Sequence, residues 1–224
     1  MLRLIIGNKA YSSWSMRAWL AARQSGLAVE NVLIPLYEEG SAEDMRRYAP
    51  TGKVPCLMDG AVAIWDSLAI CEYLAELAPE AGLWPTDRTA RAVARAACAE
   101  MHSAFPALRR HMPMNLRKTL PGKGWPEDAE ERAAVDRDVA RVERLWETLR
   151  TDYGTAAGKG PFLFGAFTIA DCFYAPVVTR LETYGVPLGA LGTAYRRAVL
   201  DHPSVRQWTA EAQDEPWVLP RFEK

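Results

Sequence analysis

Ser12, Ser13 and Ser15 stand together between Tyr11 and Arg17. The cluster has no base such as histidine beside it, so the hydroxyls have two plausible uses. One is to cap the unpaired backbone N–H groups that open a helix. The other is to donate a hydrogen bond to an anion held over that helix start, where the N–H groups and the macrodipole favour negative charge. A second Asp-hydroxyl pair, Asp66-Ser67, opens another apolar-periodic stretch and offers the same two uses. Between them runs Ala49-Pro50-Thr51-Gly52-Lys53-Val54-Pro55, dense in chain breakers and therefore a structured loop. Val54 precedes a proline and is driven to extended geometry.

The surrounding elements must hold these groups. Leu2–Ile6 is an apolar run with the length of a short buried strand, and Met16, Trp19, Leu20 and Arg23 follow at helical spacing. The serines thus sit on a strand-to-helix turn. Gly26 suits a helix C-cap. Val29–Ile34 predicts a second strand, ended by Pro35, and a short helix lies around Asp44–Tyr48. Pro55–Met58 and Ala61–Trp65 flank Asp59-Gly60, a hairpin signal. The order strand, helix, strand, helix, strand, strand, helix predicts a small mixed sheet with helices on its faces, which is the order of the thioredoxin-like fold.

Pro79–Thr89 reads as a linker pinned by Leu83-Trp84, and beyond it strand signals nearly vanish. Ala90–Arg110 and Glu127–Arg150 predict long helices, with a loop or broken helix end over His111–Pro126 and a Gly-rich loop over Tyr153–Pro161. Thr168 and Asp171 have capping-box spacing at the head of a third long, apolar helix. Leu188–Leu200 and Ser204–Ala212 add two shorter ones. The expected organisation is residues 1–79, a linker over 80–89, and an all-helical 90–224.

At 224 residues with 27 basic and 28 acidic side chains interspersed, the chain has no basic patch suited to nucleic acid. No apolar run approaches a membrane span, and Met1 leads directly into a strand rather than a signal region. Cys56, Cys71, Cys98 and Cys172 lack C-x-x-C spacing and lie in apolar contexts, as reduced buried thiols do. His102, His111 and His202 are isolated, so no metal site is expected. The expectation is a soluble cytoplasmic protein.

A thioredoxin-like first domain joined to an all-helical second one resembles the cytosolic glutathione transferases over essentially the whole chain. Lys53-Val54-Pro55 is similar to that family's strand-entry motif, whose proline is cis. Asp66-Ser67-Leu68-Ala69-Ile70-Cys71-Glu72-Tyr73-Leu74 is similar to its helix start, and Thr168-Ile169-Ala170-Asp171 to its second-domain capping box. Ser12-Ser13-Trp14-Ser15-Met16-Arg17 looks most like the zeta class, which includes maleylacetoacetate isomerases and carries Ser-Ser-Cys-x-x-Arg; Trp14 stands where that class has cysteine.

The resemblance implies an enzyme that binds glutathione as co-substrate and uses its thiolate on an electrophilic hydrophobic small molecule, as in detoxification. The backbone of Val54, before Pro55, would pair with the cysteinyl unit as an added strand. Ser67 and the helix N-terminus would take the γ-glutamyl carboxylate, Asp66 the ammonium, and Lys53 a further charged contact. A free thiol has a pKa of about 8.5, and lowering it by ~2 units requires ~2.7 kcal/mol of preferential stabilisation. One hydroxyl donor plus a helix terminus is of that order. Alignment on the zeta Ser-Ser pair favours Ser12 as that donor, and counting back four from Arg17 favours Ser13. Ser15 reads as a cap, Tyr11 stays open because tyrosine has this role in other classes, and Arg17 reads as a salt-bridging residue behind the site. The co-substrate side is expected to be apolar, with Trp14, His111, Met112, Met114 and Arg117 as candidates. Two alternatives accompany this reading: a zeta-type glutathione-dependent cis–trans isomerase, and a non-catalytic binding or interaction module. The arginine that zeta isomerases place on a second-domain helix would fall near Thr183, one turn from Arg180. A homodimer is expected on family grounds.

Overall fold

The computed structural model describes residues 1–155 and 158–223; two positions of the expected Gly-rich loop at 153–161 lie outside the described residues. The chain begins β1 (Leu2–Ile6), α1 (Ser13–Ser25), β2 (Val29–Leu33), α2 (Ser41–Tyr48), β3 (Cys56–Asp59), β4 (Val62–Trp65) and α3 (Ser67–Leu77). The four strands form one sheet in the order β2-β1-β3-β4. β1 pairs parallel with β2, from Leu2 opposite Val29 to Ile6 opposite Leu33, which the intervening α1 crossover makes possible. β3 lies antiparallel to β1, with Ile5 opposite Cys56, and β4 antiparallel to β3. Asp59 opposes Val62, so the hairpin turn consists of Gly60 and Ala61, one residue later than expected. Gly60 takes φ +56°, where a side chain would be strained. α1 ends at Gly26 in the left-handed conformation, as predicted.

The remainder is helical: α4 (Arg88–Ser103), α5 (Pro106–His111), α6 (Ala129–Asp152), α7 (Ile169–Thr183), α8 (Ala190–Asp201) and α9 (Pro203–Gln213). The first unit is therefore a mixed α/β thioredoxin-like domain and the second is all-α. The single helix expected over 90–110 is broken. Phe105 sits at φ +64° and Pro106 starts α5 afresh. A proline ring disfavours the α conformation at the residue before it, so the helix stops there. The break turns the chain so that α5 carries Arg109 to a cavity wall.

α7 is the axis of the second domain and is buried along nearly its whole length. Its capping box forms as expected. The Asp171 carboxylate accepts from the Thr168 amide at 2.9 Å, the Thr168 hydroxyl at 3.2 Å, the Leu163 amide at 3.1 Å and the Tyr195 hydroxyl at 3.0 Å. Burial raises this carboxyl to about 6 despite those bonds, which pull the other way.

The two domains share a continuous apolar core. α1 packs on α3 on one side and on α7 and α9 on the other. Trp19 of α1 meets Trp208 of α9 with ring centroids 5.2 Å apart. The Lys9 ammonium lies 5.5 Å from one of these rings and 5.4 Å from the other, and pairs with Glu211. Leu83 and Trp84 are buried in the connection; the Leu83 carbonyl accepts from the Ile169 amide at 2.9 Å, fixing the start of α7. All four cysteines are buried free thiols. Among the described residues, no helix is long and apolar enough to cross a membrane, and no cluster of His, Cys, Asp and Glu has metal-holding geometry.

Candidate functional site

The turn between β1 and α1 assigns the three serines different duties. Ser12 is the N-cap: its hydroxyl accepts from the Ser15 amide at 3.4 Å and donates to the Ser15 hydroxyl at 2.7 Å. Ser15, expected to be the cap, lies inside the first turn instead. Its oxygen accepts from the Gly7 amide at 3.0 Å and ties the helix to the end of β1. Ser13 is the first residue of the helix, and its oxygen accepts from Nη2 of Arg180 at 3.1 Å, across the domain boundary. That bond occupies an acceptor site of the hydroxyl and leaves its proton to be donated.

Ser12, Ser13 and Trp14 form one wall of a cavity of about 700 Å³, with Lys53 and Val54 also on the first-domain side. The Val54–Pro55 peptide is cis, and among the described residues the Val54 backbone makes no hydrogen bond. Facing these from the second domain are Arg109, Met114 and Arg180, with Arg221 and Phe222 of the C-terminal tail closing one edge. Three arginines on this lining depart from the apolar co-substrate wall that the sequence suggested. Arg180 is buried and also donates to the Met112 carbonyl at 2.6 Å. Arg109 donates to the Ala104 carbonyl at 2.9 Å and to the Met101 carbonyl.

Arg17 departs from expectation too. It is buried between the rings of Trp14 and Phe173, 4.3 and 4.9 Å from their centroids, and its Nε and Nη1 have no hydrogen-bond partner among the described residues. Among the described residues, no carboxylate lies within ion-pair distance of Arg17, Arg109 or Arg180. Burial, with repulsion from Arg109, lowers Arg17 to about 9 and Arg180 to about 10, so both stay charged at neutral pH. Trp14 lies beside both Arg17 and Arg109, whose guanidinium is 5.3 Å from its ring.

The other predicted residues divide. Met114 and Trp14 line the cavity, whereas His111 and Arg117 do not. His111 sits 3.5 Å from Glu131. Arg117 donates to Tyr11, to the Glu215 carbonyl at 2.7 Å and to the Trp217 carbonyl, so it secures the tail. Tyr11 lines the cavity, but its hydroxyl donates to Glu223 at 2.6 Å, and its ring stacks on Phe222 at 5.6 Å. Asp66 and Ser67 lie beyond the cavity walls. Asp66 caps α3 at φ +75°, accepting from the Leu68 amide at 2.8 Å, while its second oxygen is 3.1 Å from Nε2 of His102. The Ser67 hydroxyl is buried without a partner among the described residues, the kind of orphan an anion would satisfy. Sequence reasoning missed His102, Arg109 and the tail as site neighbours. Pro106, inside an apparent helix, was the available signal for the second of these.

Comparison with known proteins follows the same lines. Residues 11–77 match the family model described as glutathione S-transferase, N-terminal domain, and residues 131–211 the one described as glutathione S-transferase, C-terminal domain. Glutathione S-transferase Z1 of Arabidopsis thaliana is 39% identical over 196 residues, 84% of this chain and 85% of its own length. A maleylacetoacetate isomerase of Pseudomonas aeruginosa is 29% identical over 213 residues, 92% and 94% of the two chains. Among solved structures, a glutathione transferase homologue from Burkholderia with bound glutathione superposes with a TM-score of 0.70 at 24% identity, covering 95% of this chain and 98% of that one.

Proposed function

The chain belongs to the glutathione S-transferase family, and from that premise we propose that it binds glutathione beside the cis Val54–Pro55 peptide and turns the thiolate on an electrophile in the adjoining cavity. Glutathione supplies a sulfur nucleophile; the protein's work is to hold it, orient it and keep it ionised. The unpaired Val54 backbone suits the peptide-like cysteinyl unit as an added strand. The orphan Ser67 hydroxyl and the N-terminal amides of α3 suit the γ-glutamyl carboxylate, with Asp66 accepting from the ammonium in competition with His102. Lys53, exposed on the same rim, adds a positive charge near a ligand of net negative charge.

The observation that carries the reading is the Ser13 hydroxyl. It is on the cavity wall at the first turn of α1, with its oxygen engaged by a cation and its proton unclaimed. Ser12 also reaches the wall, but its hydroxyl is engaged by both the amide and the hydroxyl of Ser15. We therefore assign thiolate stabilisation to Ser13, and helix capping to Ser12. Ultraviolet difference absorbance of bound glutathione across pH tests this. Wild-type protein should hold thiolate at neutral pH, Ser13→Ala should lose most of it, and Ser12→Ala should keep it at some cost in helix stability. No thiolate signal at all, or no heat in calorimetry with millimolar glutathione, would return the chain to the class of non-catalytic modules.

A second reading has its own support. Arg109 and Arg180 on the cavity wall suit an unsaturated acid, the kind of substrate a zeta-type cis–trans isomerase takes. Trp14 in place of the zeta cysteine weighs against it. Turnover of maleylacetone against a chloronitrobenzene separates isomerisation from conjugation. A two-fold dimer, by resemblance, and a cytoplasmic setting, suited to four buried reduced thiols, complete the reading.

A further inference from the structure

We propose that Arg180 is a positioning residue for thiol ionisation: by binding the Ser13 oxygen, it aims the hydroxyl proton into the cavity and places an unneutralised charge behind the thiolate. This deepens, and rests on, the assignment of Ser13 to the thiol.

The geometry is specific. The two Arg180 nitrogens have separate tasks: Nη1 anchors on the Met112 carbonyl at 2.6 Å, and Nη2 reaches Ser13 Oγ at 3.1 Å. A serine oxygen engaged by a guanidinium is a better proton donor, because hydrogen bonds in a chain polarise one another. The guanidinium is buried, and among the described residues no carboxylate lies within ion-pair distance to neutralise it, so its field reaches the cavity little screened. Arg109, on the same wall, has the same sign, and their repulsion is relieved when a negative charge enters between them. The helical domain thus contributes to activating a thiol whose other contacts come from the first domain. Because Arg180 is on α7 and Ser13 on α1, the contact exists only while those two helices are docked.

The test is the pKa of the enzyme-bound glutathione thiol, read by ultraviolet difference absorbance in wild type, Ser13→Ala, Arg180→Met, Arg180→Lys and the Ser13→Ala/Arg180→Met double variant. Arg180→Met should raise the thiol pKa by about 1 unit or more, a tenfold loss of thiolate at a pH below both values. Affinity for S-methylglutathione, which has no thiol to ionise, should stay within about twofold. The double variant should fall short of the sum of the two shifts, since part of the Arg180 effect runs through Ser13 and only its field acts on the thiolate directly. Arg180→Lys keeps the charge with poorer geometry and should fall between. If Arg180→Met fails to fold, Arg180→Lys against Ser13→Ala still decides. An unshifted pKa in the Arg180 variants, with Ser13→Ala raised, overturns this proposal and leaves the function standing. Additive shifts overturn the route through Ser13. An unshifted pKa in Ser13→Ala overturns the assignment beneath it.

Discussion

Replacing Asp171 with alanine would strike the point where the second domain is nailed together. Its carboxylate receives the Leu163 and Thr168 amides and the Tyr195 hydroxyl, all buried. Each stranded donor costs about 1–3 kcal/mol. Against this stands recovery of the carboxylate's own burial cost, visible in its elevation to about 6. A net loss of ~3 kcal/mol at neutral pH is expected, which for a chain of this size is a fall in Tm of roughly 6–12 °C. The pH dependence is the sharper part. The unfolded carboxyl titrates near 3.9, the folded one near 6. Between those values the folded protein keeps a proton that the unfolded chain has released, so this group's contribution is fullest below pH 4 and is lost as pH rises through 6. The wild-type advantage over the alanine variant should therefore widen by about 2 kcal/mol from pH 7 to pH 4. Urea unfolding of both proteins at matched pH measures it. A gap that stays flat, or that grows toward alkaline pH, would refute the argument.

Three further outcomes are expected. Arg109→Met should weaken competitive inhibition by small dicarboxylates about tenfold or more, the worth of one charge-assisted hydrogen bond, with less effect on uncharged inhibitors; steady-state inhibition in low salt reads this. Tyr11→Phe keeps the ring stacked on Phe222 but removes the hydroxyl that joins Glu223 and Arg117, so trypsin should cleave after Arg221 faster than in wild type. Lys9→Ala should cost ~1–2 kcal/mol of stability in urea unfolding, because its ammonium is attracted to two tryptophan faces and paired with Glu211.

What the sequence shows and hides follows from how each feature arises. The β1–α1 turn, the Asp66-Ser67 helix start and the Thr168–Asp171 box were legible because each is a local event, with donors and acceptors a few residues apart. The break at Phe105 was marked by Pro106 but masked by the Ala- and Arg-rich texture on both sides. Arg180 beside Ser13 is a pairing across 167 positions, and no local pattern announces it. Arg17 read as an ion-pair former because buried arginines usually find carboxylates; here aromatic faces take that place. Arg117 carried the right chemistry for a ligand contact, but the folded tail claims its donors.

That tail has a consequence for how the protein can be taken apart. Arg221 and Phe222 complete the rim around Tyr37 and Tyr11, and the Trp208 indole donates to the Lys9 carbonyl at 3.0 Å. The first eighty residues expressed alone would therefore uncover the face of Trp19 that packs on Trp208 and strip the Tyr11 ring of Phe222, beside a cavity missing most of its far bank. Such a fragment would report on the sheet and little else, because Arg221 and Phe222 finish a surface that Tyr11 to Trp14 begin.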